Sequence, residues 1–227
     1  MNYLALCKRL RSECGVQGDG PSAVTNQTGM YAKLVEWVSD AYTEIQAIPL
    51  DWTWLRAVLD LTVQSGASQY TPGTAPWNTP ADAARIREFD DRNLYLVDGA
   101  GNRSRVRVLT YTEFLRDYPN VSTPAARPAF LTMTPWGRVD FSAVPDQAYT
   151  LKAGVRLTPQ VLAADTDTPA MPDEFHLAIV HRAKMKFATQ RGDRALLADA
   201  QADWKRMFMT LAARCTPSIE YKATPYA

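Results

Sequence analysis

Histidine is almost missing from this chain: 227 residues hold two, His176 and His181. They lie five apart, which on an α-helix turns them roughly 140° from each other, so they cannot face one metal ion. The HExxH zinc arrangement needs a four-residue spacing and a glutamate beside the first histidine, and neither is present. Cysteine is also scarce. Cys7, Cys14 and Cys215 make an odd count without metal-ligand spacing. On one helix Cys7 and Cys14 would be about 10 Å apart, too far for a disulfide, so reduced thiols are expected. Charge of one sign is lacking too: 25 Lys and Arg against 24 Asp and Glu leave +1. No net field steers the chain onto nucleic acid or an acidic membrane. No apolar run approaches the ~20 residues of a membrane span. The opening "MNYLALCKRLRSEC" turns polar after seven residues. It does not read as a signal peptide, and synthesis in a cytoplasm is expected.

Catalytic signatures are missing as well. No G-x-S-x-G elbow and no cysteine in a nucleophile context occurs, which leaves a hydrolase built on His176 or His181 as the weakest reading. His176 falls in the apolar arc of Phe175, Ile179, Val180, Ala183 and Phe187, where a hydrogen-bonded core residue is the usual outcome. Asp165 and Asp167 in "ADTDTP" resemble the start of a calcium loop but lack its glycine and distal glutamate. A solvated connection before a helix explains them. "DGAGN" is read as a hairpin turn, because no helix follows it to receive a phosphate. No cofactor and no metal is expected.

What is present is a clear change of periodicity along the chain. Tyr3, Leu6, Cys7 and Leu10 mark a first helix from Asn2 to about Cys14, stopped by the Gly-rich loop "GVQGDGPSAVTNQTG". Leu34, Val38, Ala41, Ile45 and Ile48 mark a second, from about Met30 to Ile48, ended by Pro49. Trp37 and Tyr42 fall off that stripe and predict a second contact surface. Period-two alternation then takes over: "LRAVLDLTV" is a half-buried strand, and "NLYLVDGAGNRSRVRVLTY" is two strands about a turn at Asp98–Asn102. "TEFLRDY" is a short helix with Thr112 as its N-cap. "AFLTMTPWGRVDFSAV" turns at Pro135–Arg138, and "AYTLKAGVRLTP" is a further strand. Pro172 opens another helix with Asp173 and Glu174 in its first turn, and Gly192 ends it. Asp193 caps a last helix to about Arg214, with Leu197, Trp204, Phe208 and Leu211 on one face. The expected fold is α+β. N-terminal helices (1–50) and a C-terminal helical hairpin (161–214) form a bundle. An antiparallel sandwich or barrel-like domain (51–160) is inserted between them, and an extended arm (215–227) follows.

Two aromatic and basic groupings stand out. Trp52 and Trp54 lie on one face of an extended segment, as core packing or as an interface or ligand platform. Arg103, Arg105 and Arg107 alternate along one face of a strand, solvated or turned toward phosphates.

Three stretches, in this order, resemble the adaptor (head-to-tail connector) proteins of tailed bacteriophages. They are "MNYLALCKRLRSECGV" with the helix "LVEWVSDAYTEIQ", then "DWTWLRAVLDLTV" leading to "LTYTEFLRDY", and last the proline-led "MPDEFHLAIVHRAKMKFA". The resemblance implies a structural virion protein of the neck, not an enzyme, made in the host cytoplasm. It would form a homo-oligomeric ring, usually dodecameric, that continues the DNA channel between the portal protein and a downstream tail protein (nozzle, stopper or tail tube). DNA would pass without sequence-specific binding, and no membrane is involved. The same resemblance gives the arm "CTPSIEYKATPYA" a portal-docking role through Ile219, Tyr221 and Tyr226. Subunit contacts are expected at Trp52, Trp54, Phe175, His181 and Arg182, and the channel-facing basic residues would be Arg103, Arg105 and Arg107. The helix from Asp173 to Gln190, apolar around most of its circumference, suits a heterologous ring, which needs two different patches per subunit. The rival reading is a monomeric β-sheet module that binds sugar or nucleic acid on Trp52, Trp54 and Trp136.

Overall fold

Asn2 accepts a hydrogen bond from the Ala5 amide at 2.9 Å and so starts the first helix, relieving one of the orphan N–H groups of its first turn. The computed structural model describes residues 1–119 and 125–217. In chain order the elements are α1 (Tyr3–Glu13), α2 (Gly29–Ala47), β1 (Arg56–Val63), β2 (Gln69–Tyr70), β3 (Ile86–Val97), β4 (Arg103–Arg105), β5 (Arg107–Val108), α3 (Tyr111–Asp117), β6 (Phe130–Met133), β7 (Val139–Phe141), β8 (Tyr149–Leu157), α4 (His176–Arg191) and α5 (Arg194–Cys215). The fold is α+β. The chain divides into a helical unit, 1–54 with 159–217 of its described residues, and a β unit, 55–158.

In the helical unit, α4 packs on α1, α2 and α5. That position explains its apolar circumference: α1, α2 and α5 each cover part of it. Tyr3, Leu6, Cys7 and Leu10 of α1 and Leu34, Val38, Ala41 and Ile45 of α2 are buried, as their spacing predicts. The two off-stripe residues of α2 do meet other surfaces. Trp37 lies edge-on to Phe187 at 5.9 Å, and the Tyr42 hydroxyl donates to Gln160 at 2.8 Å. The α4 segment begins differently from expectation. Pro172 precedes a 3-10 turn, Asp173–Phe175, and α-helical geometry starts only at His176. Gly192 closes α4 with φ +69°, a left-handed conformation that costs a side chain most, and Asp193 then accepts from the Leu196 amide at 3.0 Å.

The β unit holds two four-stranded sheets, ordered β1-β8-β3-β4 and β2-β7-β6-β5. Residues of both share one buried cluster, including Leu59, Leu61, Leu96, Leu131, Phe141 and Leu151. Trp77, fully buried, stacks on Tyr70 at 4.8 Å and donates from Nε1 to the Thr62 carbonyl at 2.7 Å. The unit is not wholly antiparallel: β5 and β6 run parallel. A parallel pair needs a crossover rather than a tight turn, and α3 lies in that connection. The cap of α3 is Thr110, not Thr112. Thr110 forms a reciprocal capping box with Glu113, whereas Thr112 has Leu115 where the box needs a carboxylate. The first sheet is disturbed where β3 slips register between Phe89 and Leu94. β8 passes directly beneath this bulge at Gly154, where an added Cβ would come within 2.8 Å of Asn93 Cβ.

Candidate protein-interaction surface

The helical unit carries a groove of about 570 Å³ between α2, α4 and α5. Trp37, Met185 and Leu197 supply its apolar lining, while Asp40, Glu44, Arg182 and Lys186 supply its charges. Those charges are tied to one another. Lys186 Nζ lies 2.7 Å from Glu44 and 3.2 Å from Asp40, and Arg182 Nε donates to Glu44 at 2.8 Å. Burial works to raise the Glu44 pKa, but the hydrogen bonds and charges of Lys186 and Arg182 outweigh it and hold it below the usual value. For Lys186 burial pulls down, and the hydrogen bonds it donates to Glu44 and Asp40 win and raise it. Glu44 and Lys186 therefore both stay charged through neutral pH, and their pairing ties α4 to α2.

An aromatic row continues from this groove. The Arg182 guanidinium sits 5.6 Å over Trp204, Trp204 stacks on Phe208 at 5.1 Å, and Phe208 meets Trp52 edge-on at 6.4 Å. Trp52 in turn stacks on Trp54 at 4.5 Å. The two tryptophans do share a face, but not on an extended segment: Trp54 sits in a 3-10 turn, Thr53–Leu55. Trp52 is 1% exposed and Phe175 is likewise buried, so both pack inside the helical unit. Trp54, Trp204 and Phe208 are half-buried and Met209 is 65% exposed. Along α5 only Ala200, Leu211 and Cys215 are buried, and the rest of its apolar face is open to varying degrees.

Each histidine has a structural setting. His176 is buried, with Nε2 3.0 Å from the Met171 carbonyl and Nδ1 2.6 Å from the Met1 amino nitrogen. His181 faces α5, with Nδ1 4.0 Å from Asp203. Burial lowers the pKa of both, which keeps the imidazoles neutral at pH 7. Asp165 and Asp167 serve backbone amides: Asp165 accepts from Val24 at 2.6 Å, and Asp167 from Ala163 and Ala164 at 2.7 and 2.8 Å. Burial pushes the Cys7 and Cys14 thiols up to about 12, well out of the reactive range. Among the described residues no group of three His, Cys, Asp or Glu side chains could hold a metal ion, and no helix is long and apolar enough to cross a membrane.

In the β unit the three arginines do not share a strand. Arg103 and Arg105 belong to β4 in one sheet and Arg107 to β5 in the other, because the chain changes sheets at the buried Val106. All three are exposed, and Arg105 pairs with Asp91 at 3.3 Å. Trp136, 64% exposed at the β6–β7 turn, meets Tyr111 edge-on at 5.5 Å. It belongs to the β unit, whereas Trp52 and Trp54 belong to the helical unit. Ile219, Tyr221 and Tyr226 lie outside the described residues. The spacing of Leu197, Trp204 and Phe208 places them on one helix face but carries no sign that the face stays partly exposed, which follows from α4 taking the place between α1, α2 and α5.

The chain is a two-unit α+β protein whose last helix leaves part of its apolar face open. The model of a family described as SU10 adaptor protein matches residues 1–222, and the chain belongs to that family, a phage head-to-tail adaptor family. No curated protein matches the chain.

Proposed function

We propose that this chain is the ring-forming component of a virion neck, seated between the portal and the tail and continuing the DNA channel. The observation that carries the reading is the family match, which spans both structural units. The open face of α5 supports it, since a subunit that meets neighbours keeps apolar side chains that its own core does not cover. Trp54, His181 and Arg182, at the margins of that face and its groove, are the proposed subunit contacts of the helical unit. Trp52 and Phe175 would support them from beneath. The arm after Cys215 docks on the portal through Ile219, Tyr221 and Tyr226. Arg103, Arg105 and Arg107 face the channel, and a net charge of +1 lets DNA slide past without being gripped. The downstream partner is a nozzle, stopper or tail-tube protein.

The test is to mix the chain with the portal encoded in the same genome and follow both by size-exclusion chromatography with light scattering. A co-migrating complex with several copies of the chain per portal is expected. Separate migration would contradict the proposal. A chain ending at Arg214 should keep its helical circular dichroism and lose portal binding; full binding by the truncated chain would remove the docking role from the arm.

A further inference from the structure

We infer that the outer sheet of the β unit is built to continue from one copy to the next, with β4 of one subunit adding to the free edge of β1 in its neighbour. The inference rests on the ring reading above and names the contact in the β unit that would close it.

The edge itself is unusual. β1 is eight residues long, ends its sheet, and carries no proline, lysine or bulge to discourage pairing. Val58 is 77% exposed on it. In an antiparallel ladder, residues alternate between those that bond the partner strand and those whose amide and carbonyl point away. Leu94 and Asp98 bond toward β4, so Tyr95 and Val97 bond Lys152 and Thr150 of β8. Leu151 and Ala153 are left to bond Leu61 and Leu59 of β1, and Thr62, whose carbonyl accepts from the Trp77 indole, points away from β8. Asp60 and Val58 share its parity and point the same way. Among the described residues nothing bonds their backbone on that side. Trp77 thus caps one end of the edge and the 3-10 turn Ala81–Arg85 lies near β1, while the backbone groups of Val58 and Asp60 are left without a strand partner among the described residues.

The opposite edge of the same sheet is complementary. β4 ends the sheet beyond β3. The Val106 amide bonds the Leu94 carbonyl at 3.1 Å and the Asp98 amide bonds Asn102 at 3.2 Å, which fixes the parity of the hairpin. Arg103 and Arg105 fall between the bonded pairs, so their amides and carbonyls point outward. Each edge therefore offers two residues at the same two-residue spacing.

Direction, face and charge agree as well. The sheet has four strands, all pairs antiparallel, so β1 and β4 run oppositely. Copies related by rotation about a ring axis would bring β4 beside β1 antiparallel, and the alternation would continue unbroken. Arg103 and Arg105 stand on the outer face, opposite Val97 and Tyr95, and Val58 and Asp60 stand on the same face. With Arg103 opposite Asp60, Arg105 falls opposite Val58 and Ser104 opposite Leu59 on the inner side. An arginine thus meets a carboxylate that Lys152 holds at 2.7 Å, and the Ser104 hydroxyl, buried and without a partner among the described residues, lies at the join. Such a contact is heterologous, which is what a ring requires.

The test uses portal-seeded rings counted by negative-stain electron microscopy. Asp60→Pro removes the outward amide from an edge strand, where proline is tolerated. The variant should keep its circular dichroism and lose ring formation. Asp60→Arg should also lose rings, and adding Arg103→Asp should restore them, a rescue that misfolding cannot imitate. Asp60→Cys combined with Arg103→Cys should give a ladder of dimers and larger species with a short thiol cross-linker. Rings at wild-type yield from the single variants, or rings with no 60–103 cross-link, would overturn this inference alone. If the wild-type chain formed no ring on the portal, the ring reading would fall and this inference with it.

Discussion

Two neighbouring helices of one hairpin behave in opposite ways. α4 buries eight of its sixteen residues, Lys184 and His176 among them, whereas α5 buries three of twenty-two. Both contain comparable apolar residues, so composition does not separate them; position does. α4 has α1, α2 and α5 around it, and α5 packs on α4 while leaving Met209 and parts of Trp204 and Phe208 open. The lesson is that apolar residues around a whole circumference mark a helix at the centre of a bundle, while a broad stripe with an open half marks a helix at its margin.

That contrast can be broken at several points. The largest effect is expected from Ile179→Ala in α4, a fully buried site, which should cost about 2–5 kcal/mol in urea unfolding. A cost near zero would mean that α4 is not central. Acid should come next. Both histidines sit on α4 with lowered pKa values, so the unfolded chain takes up protons near its ordinary pKa of about 6.5 while the native chain does not. Stability is then full above that pH and falls as pH drops through it toward the lower native values. The melting temperature should fall more between pH 7.5 and 5.5 in the wild type than in the His176→Gln/His181→Gln variant; equal falls would contradict the assignment. Lys186→Ala cuts a partly exposed network, and about 0.2–1 kcal/mol is expected by the same unfolding assay. Met209→Ala on α5 should change stability least, by about 0.5 kcal/mol or less. If it also left portal-seeded ring formation untouched, the open face of α5 would lose its proposed role.

Much of this architecture is written in local pattern. The stripe in α2 places its ends within a residue, Gly29–Ala47 against Met30–Ile48, because a 3.6-residue period and Pro49 act locally. The turns at Asp98–Asn102 and at Gly137 follow from Asp98 accepting from the Ala100 and Asn102 amides and from φ +84° at Gly137. Other features depend on tertiary context. Alternation at Arg103, Arg105 and Arg107 says extended chain but not which sheet, and the switch at Val106 is a property of the whole core. β2 is two residues long and Trp77 sits in a proline-bearing loop, so neither has a period to read, yet the tryptophan anchors the β unit. The edge of β1 is the sharpest case. Its sequence alternates like any half-buried strand, and only the order of strands shows that, among the described residues, no strand pairs with one side of it.

The central claim is that this chain is an adaptor assembling on a portal. Native mass spectrometry of the chain mixed with the portal from its own genome tests it most directly. The account predicts one dominant species with a full ring of adaptor subunits on each portal ring. Portal and chain detected only as separate species would contradict it.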